Sequence, residues 1–441
     1  MEQRVPHAYT TPSSPDSARC WVPCVDNLFE KCTWDFEFVV PRYLEERHAN
    51  RGDDGSDEMP DISPTVVICS GDLMEQVYKT NMFAHVIILT EPKVAHPFNS
   101  NRTIFLFTQT VLTSVQQIAF AAGPFHVHTL PTDTNSLDDP SGSSQPLMHA
   151  FCLPGHESML HTSTSFLRSA MNFYTTEFGS YPFGSYKLVM VDEMPTQRFD
   201  SSTLSLVTVD ILHGEDAIEQ VLETRHVLSH ALACQWIGIN IQQKAWSDTW
   251  LVNGLGLYIT GLFLRKLLGN NEYRFRLKRD MQRVVEWDNG FMPPICQPQQ
   301  LDPPDSATLP FVNLKSPLVL HILDRRLGKS GTSLGLSRVL PKIFLSAISG
   351  EMPNNGLSTH AFLRTCRKVS GVDPRSFAEQ WIYGSGCPAF GFSASFNRKK
   401  MAVEITMRQE APAFKALENN EFSKVLLKPV PFFEVRCSWF L

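Results

Sequence analysis

The sequence predicts an α+β chain of several domains, and three observations predict it. At 441 residues, 43% hydrophobic and 19% charged, it is ordinary globular material with room for two or three domains. Its first third consists of short β-branched and aromatic runs separated by turn residues, and from about residue 160 the apolar spacing turns helical. After residue 389 the alternation of strands returns.

The elements follow in order. TWDFEFVV (33–40), TVVICS (65–70), AHVIILT (84–90) and TIFLFTQT (103–110) read as strands, because β-branched and aromatic side chains suit a pleated, half-buried surface. The stretches 46–64 and 132–146 are rich in Asp, Ser, Gly and Pro; they offer little apolar area to bury and read as solvated insertions. SFLRSAMNFYTTEFG (165–179) keeps Phe166, Leu167, Met171, Phe173 and Tyr174 along one side of a helix, and YKLVMV (186–191) follows as a strand. A longer helix over 215–238 opens on acidic residues, as the positive end of its dipole favours, and carries Ile218, Leu222, Leu228 and Leu232 at helical spacing before Gly238 ends it. FGFSASFNRKKMAVEITMRQ (390–409) alternates as two strands.

Composition excludes several classes. A net charge of −6 and a pI near 6.2 give no electrostatic footprint for nucleic acid, and basic clusters such as Arg398-Lys399-Lys400 are short. The opening MEQRVPHAYTTPSSP lacks an apolar signal-peptide core, and no apolar run approaches the roughly 20 residues that span a bilayer, so an intracellular chain without a membrane is expected. The ten cysteines are scattered without a CxxC pair, and Cys20 and Cys24 are too isolated for a four-ligand zinc site. Reduced, mostly buried thiols are expected.

Chemistry enters at HALACQWIG, residues 230–238. A zinc peptidase helix carries His-Glu-x-x-His, because two imidazoles one turn apart reach one metal while the Glu takes a proton from its bound water. Here the frame reads His230, Ala231, Leu232, Ala233, Cys234. His226 lies one turn before His230, so a His-His-Cys ladder runs along one face. A rise of about 6 Å per step keeps its ends from chelating one ion together without a further group.

The segment CQWIGINIQQKAWSDTWLVNGLGLY resembles the aminopeptidase N-like gluzincins, whose motif runs HELAHQWFGN, a short variable stretch, then WWNDLWLNEGFASY. Gln235, Trp236, Gly238, Trp246, Asp248, Trp250, Leu251, Gly254 and Tyr258 fall in register without a gap. The resemblance extends through SARCWVPCVDNLFEKCTWDFEFVVP, FLRSAMNFYTTEFGSYPFGSYKLVMV and FAEQWIYGSGCPAF. It implies an N-terminal β domain over 1–153 lacking its first strands, a thermolysin-like domain over 154–388, and the start of a β-sandwich over 389–441, so the chain is expected to be a fragment.

The departures sit where the family keeps its chemistry. By the resemblance His230 matches the first zinc ligand, Ala231 replaces the general-base Glu, Cys234 the second ligand and Asn253 the third. The amino-group anchor GAMEN aligns with Phe199-Asp200-Ser201-Ser202-Thr203, which puts Ser202 in place of its Glu, and the transition-state Tyr aligns with Asn313. Neither metal nor cofactor is then implied, and hydrolysis should be absent. Read without the family, His230 is a hydrogen-bonded core histidine, Cys234 a small buried hydrophobe, Asn253 a cap or bridge to backbone groups, and Trp236, Trp246 and Trp250 core packing.

PHAYTTPSSPDSARCWVPCVD and YKLVMVDEMPTQRFDSSTLSLVTVDILH are similar to the TFIID subunit 2 family of aminopeptidase-like TBP-associated factors. That resemblance implies a catalytically inactive nuclear scaffold, with TBP and other TBP-associated factors as partners and promoter DNA met only within their complex. The alternatives are a zinc metallo-aminopeptidase and a degenerate relative used as a peptide-binding module. Fold alone carries no function across.

Overall fold

A computed structural model describes residues 5–10, 17–44, 63–74, 94–96, 99–132, 145–288, 292–328, 335–387 and 389–410. Packing divides the chain into two units, Met1–Asn240 and Ile241–Leu441.

In the first unit the strand-rich opening becomes β1 (Ala8–Tyr9), β2 (Lys31–Pro41), β3 (Val66–Cys69), β4 (Asp72–Leu73), β5 (Val94–His96), β6 (Asn99–Ser114), β7 (Phe120–Gly123), β8 (His126–Thr129) and β9 (Leu147–Cys152). One sheet has the order β1-β7-β3; another runs β2-β6-β4 with β5 also on β6. Strand β2 lies antiparallel to β6, with Phe36 opposite Phe107 and Phe38 opposite Phe105. Val67, Cys69, Phe105 and Phe107 are buried there against Phe36, Phe38 and Val40, the apolar area that holds these sheets together.

Next come helices α1 (Glu157–Thr164) and α2 (Leu167–Phe178), strands β10 (Ser185–Val191), β11 (Arg198–Ser201) and β12 (Leu204–Thr208), and helix α3 (Glu219–Trp236). They complete a five-stranded sheet, β11-β12-β10-β9-β8, in which β9, β10 and β12 run parallel and the edges β8 and β11 antiparallel. Val189, Met190 and Val191 are fully buried, because a strand covered on both faces reads as a continuous apolar run. Helix α1 packs on β8 and β9, α3 on β11, and α2 on α3.

The second unit holds β13 (Gln242–Gln243), α4 (Thr249–Leu268), α5 (Asn270–Trp287), α6 (Leu309–Gly328), α7 (Leu336–Ile348), β14 (Gly356–Leu357), α8 (Thr359–Ser370) and the hairpin β15 (Ala389–Asn397) with β16 (Ala402–Glu410). Helices α4 and α6 pack closely at Gly254, where a Cβ would meet that of Ser316 at 2.7 Å. Only a residue without a side chain fits there.

Several readings need correction. Helix α3 starts at Glu219, and Ile218 stands before it, 84% exposed, so the apolar face begins further along than the spacing suggested. Of the nine free cysteines described, Cys69, Cys152, Cys296 and Cys366 are buried, whereas Cys20 and Cys32 are exposed. Trp246–Leu268 is long and apolar enough to cross a membrane; more than half of it is buried in the fold, which marks a core helix. Asn253, Thr260 and three glycines interrupt its apolar run in the sequence. AHVIILT and most of both polar insertions lie outside the described residues.

Three buried basic groups sit in or beside the five-stranded sheet. Lys187 on β10 donates to the carbonyl of Gly71, and burial draws its pKa down to about 8. Arg168 on α2 donates to the carbonyls of Leu130, Pro131 and Pro146. His149 on β9, 7% exposed, is drawn down to about 4, first by burial and then by the charges of Lys187 and Arg168.

A base whose folded pKa is depressed stabilises the fold above its unfolded pKa and loses that contribution as pH falls toward the folded value. The window for His149 therefore runs from about 6.5 down to about 4. Replacing His149 with Gln should remove on the order of 3 kcal/mol of pH dependence from this window, to be measured as urea-unfolding free energies of both proteins between those limits. Curves that stay parallel throughout would refute a neutral buried His149.

Candidate functional site

Helix α3 presents His226, His230 and Cys234 in sequence along one side, with the two imidazole centroids 6.4 Å apart. Its other faces are core: Ala231 and Leu232 are fully buried, and Trp236 packs on Tyr174 and Tyr181 at 5.6 and 5.2 Å while its indole donates to the carbonyl of Gly179 at 3.2 Å. Gly238 turns the chain out of the helix at φ +128°, a conformation L side chains rarely adopt. The carbonyl of Gly238 accepts from Gln117 Nε2 at 2.8 Å.

Edge strand β11 lies against this helix. Arg198 and Asp200, two residues apart and so on one face of the strand, form an ion pair with Nε to Oδ2 at 2.7 Å. The guanidinium also donates to the carbonyl of Val227 at 3.3 Å and toward Cys234 Sγ at 3.8 Å. Asp200 Oδ1 accepts from Ser205 Oγ at 2.9 Å, and that hydroxyl accepts from Tyr186 OH at 3.0 Å. One polar chain thus runs from β10 through β12 and β11 to α3.

The electrostatics follow from this arrangement. Burial, then the charges of Arg198 and His226, hold His230 well below the usual imidazole range. Burial and Asp200 push the Cys234 thiol far up. Burial works against the charge of Arg198, but Asp200 beside it more than offsets this and its pKa is raised. The surface is therefore a neutral imidazole, a protonated thiol and a fixed cation.

Ser202 faces no cleft. It is fully buried, its hydroxyl accepts from Gln109 Nε2 at 2.9 Å, and its N–H donates to the carbonyl of Gln117. Gln235 holds the turn from the helix side: its Oε1 accepts from Thr203 N at 3.0 Å and its Nε2 donates to the carbonyl of Ser201 at 2.9 Å. Thr203 has φ +63°, a left-handed position held by these bonds.

In the second unit Asn253 Nδ2 donates to Asn313 Oδ1 at 3.0 Å, joining α4 to α6. The expected bond to backbone is replaced by a side-chain pair. Asp248 accepts from both N and Oγ1 of Thr359, and Trp250 Nε1 donates to the same hydroxyl at 3.0 Å. Tyr258 is buried; Trp246 is only partly so.

These residues do not fit a zinc ion. A thiol ligates as thiolate, which the surroundings of Cys234 oppose, and the guanidinium directed at it repels a dication. Ala231 supplies no base. Among the described residues no group of three or more His, Cys, Asp or Glu side chains could hold a metal ion. Arg198 and its pairing with Asp200 escape the sequence reading, which places Asp200 only in the anchor stretch; two opposite charges at strand spacing in RFDSS were the available signal.

Comparison with known proteins places this geometry. Residues 161–381, half of the chain, match the Peptidase family M1 domain. The chain is 39% identical to Transcription initiation factor TFIID subunit 2 of Schizosaccharomyces pombe over 97% of its own length and 38% of that protein. It is 29% identical to the Saccharomyces cerevisiae protein of that name, over 89% of the chain and 34% of the relative. It thus spans 31% to 38% of the length of the TFIID subunit 2 relatives it matches. Among solved structures, a Legionella pneumophila aminopeptidase A in complex with aspartic acid superposes with a TM-score of 0.66 at 15% identity, covering 92% of this chain and 40% of that one.

The ion pair should behave as a unit. Arg198→Met leaves Asp200 without its partner and should cost roughly 2 to 4 kcal/mol, below the range for a fully buried pair because both groups are slightly exposed. Adding Asp200→Leu should restore at least half of that loss, read as the urea midpoint of each variant. A double variant no more stable than Arg198→Met would sink the pairing.

Proposed function

The chain belongs to peptidase family M1, and on that premise we propose that it is a non-catalytic subunit of the general transcription factor TFIID, a nuclear scaffold for TBP and TBP-associated factors at the core promoter. The observation that carries this reading is the likeness to TFIID subunit 2, which extends through nearly the whole chain. The site supports it: each position aligned with metal, base, amino-group anchor and catalytic Tyr holds His230, Cys234, Asn253, Ala231, Ser202 or Asn313, an incomplete set for hydrolysis. A division at 153/154 and 388/389 belongs to the same proposal. The metallo-aminopeptidase reading rests on the family alone and is opposed by Arg198 beside Cys234.

Zinc gives one test. Elemental analysis of dialysed protein should find well under one zinc per chain. Stoichiometric zinc that survives dialysis would reverse the reading of this site.

Assembly gives the other. Trp236→Ala empties a packed core and should cost about 3 to 5 kcal/mol, enough to unfold a marginal domain and abolish co-precipitation of TBP-associated factors with the full-length protein. His230→Ala should keep both fold and partners, at about 1 to 3 kcal/mol. A well-folded His230→Ala protein that loses its partners would show that the former site itself binds them.

A further inference from the structure

A groove of about 560 Å³ opens between α7 and α8, in a part of the chain given no role above. Its walls carry Lys244, Lys342, His360, Arg364 and Lys368, against a single acid, Glu351, whose Oε2 already accepts from Ser346. This local excess of positive charge runs against a chain of net charge −6. Lys244, Lys342, Arg364 and Lys368 are exposed, and among the described residues none of them makes an ion pair. Arg364 and Lys368 stand one turn apart on α8, where like charges work against the helix. Lys368 in the last turn of α8 suits the negative end of the helix dipole, but Lys244, Lys342 and Arg364 have no such role.

The floor is apolar. Ile343 from α7 and Leu357 from β14 lie beneath the cations, 3% and 2% exposed, with Met352 partly buried at the rim. Between Pro353 and Gly356 of the lining, Asn354 and Asn355 both take φ 52°, a left-handed position that Asn tolerates. The volume lies in the range of binding clefts that hold a few side chains.

These features select the ligand class. A duplex presents phosphates on an open surface and has no apolar group to enter the floor. A small anion would leave the floor wet. A peptide with carboxylates on either side of an apolar residue satisfies both the walls and the floor. We propose that the groove between α7 and α8 docks an acidic peptide segment of a partner protein, anchored by an apolar side chain. The groove lies wholly within the second unit, and this proposal stands whether or not the chain assembles into TFIID.

The test is fluorescence anisotropy of the full chain with a labelled synthetic peptide of Glu and Asp residues around a central Leu pair. Binding should weaken with salt, and the double charge reversal Arg364→Glu with Lys368→Glu should reduce affinity at least about tenfold. Lys342→Glu on the opposite wall should weaken it in the same sense, and Arg364→Lys should largely retain it. Reversing Arg274 and Lys278, exposed on α5, should change little. Thermal unfolding of every variant checks that the fold is intact. The proposal falls if the peptide does not bind, if the α5 variant loses as much as the groove variants, or if an unlabelled duplex DNA binds the same residues more tightly than the peptide.

Discussion

The pairing of Arg198 with Asp200 on one face of β11 sets the character of everything packed around helix α3. It puts a permanent cation within reach of Cys234 and the carbonyl of Val227, so the groups around it must be neutral or negative. Burial and this cation keep His230 unprotonated, while at Cys234 burial and Asp200 outweigh the cation and keep the thiol protonated. A metal at such a site would cross-link its ligands with a dication. Here a side chain cross-links β11 to α3 with a single charge that Asp200 balances within the same strand. The fold obtains an electrostatic tie from its own chain.

Such a pair does not come free of cost. Taking two charges out of water is expensive unless further hydrogen bonds satisfy them. The extra bonds are present: Asp200 receives Ser205, Ser205 receives Tyr186, and the guanidinium has a backbone carbonyl and a sulfur. Each member constrains the next, which makes this surface rigid rather than reactive. A nucleophile or general base needs a pKa near the working pH. Here burial drives His230 and Cys234 in opposite directions: the thiol away from the thiolate that would react, and the imidazole away from the basicity that proton transfer near neutral pH needs.

Much of this fold was legible because its signals are local. Helix α3, strand β10 and the β15–β16 hairpin follow from periodicity, and the Trp and Gly spacing from 235 to 258 follows from one unbroken register. The candidate site was legible only as a set of losses. What replaced the lost groups could not be read from spacing, because Arg198 meets Val227 and Cys234 across 29 and 36 residues of chain. Asn253 and Asn313, read as two independent substitutions, are one hydrogen-bonded pair 60 residues apart. Ile218 failed for a simpler reason: periodicity does not say where a helix begins.

The unbroken match to a peptidase motif and the departures at Ala231, Cys234 and Asn253 are compatible once the motif is divided by what each residue holds. Gln235 pins the turn at 201–203 to α3, and Trp236 fills the space between α3 and the aromatic cluster of Tyr174 and Tyr181. Asp248 and Trp250 converge on Thr359 and seat α4 on the start of α8, while Gly254 lets α4 approach α6. These contacts involve neither metal nor substrate. Loss of His or Glu at 231, 234 and 253 therefore leaves them untouched, whereas loss of Gln235, Trp236 or Trp250 opens buried polar groups or cavities. The second set therefore holds the fold together whether or not the first set does any chemistry.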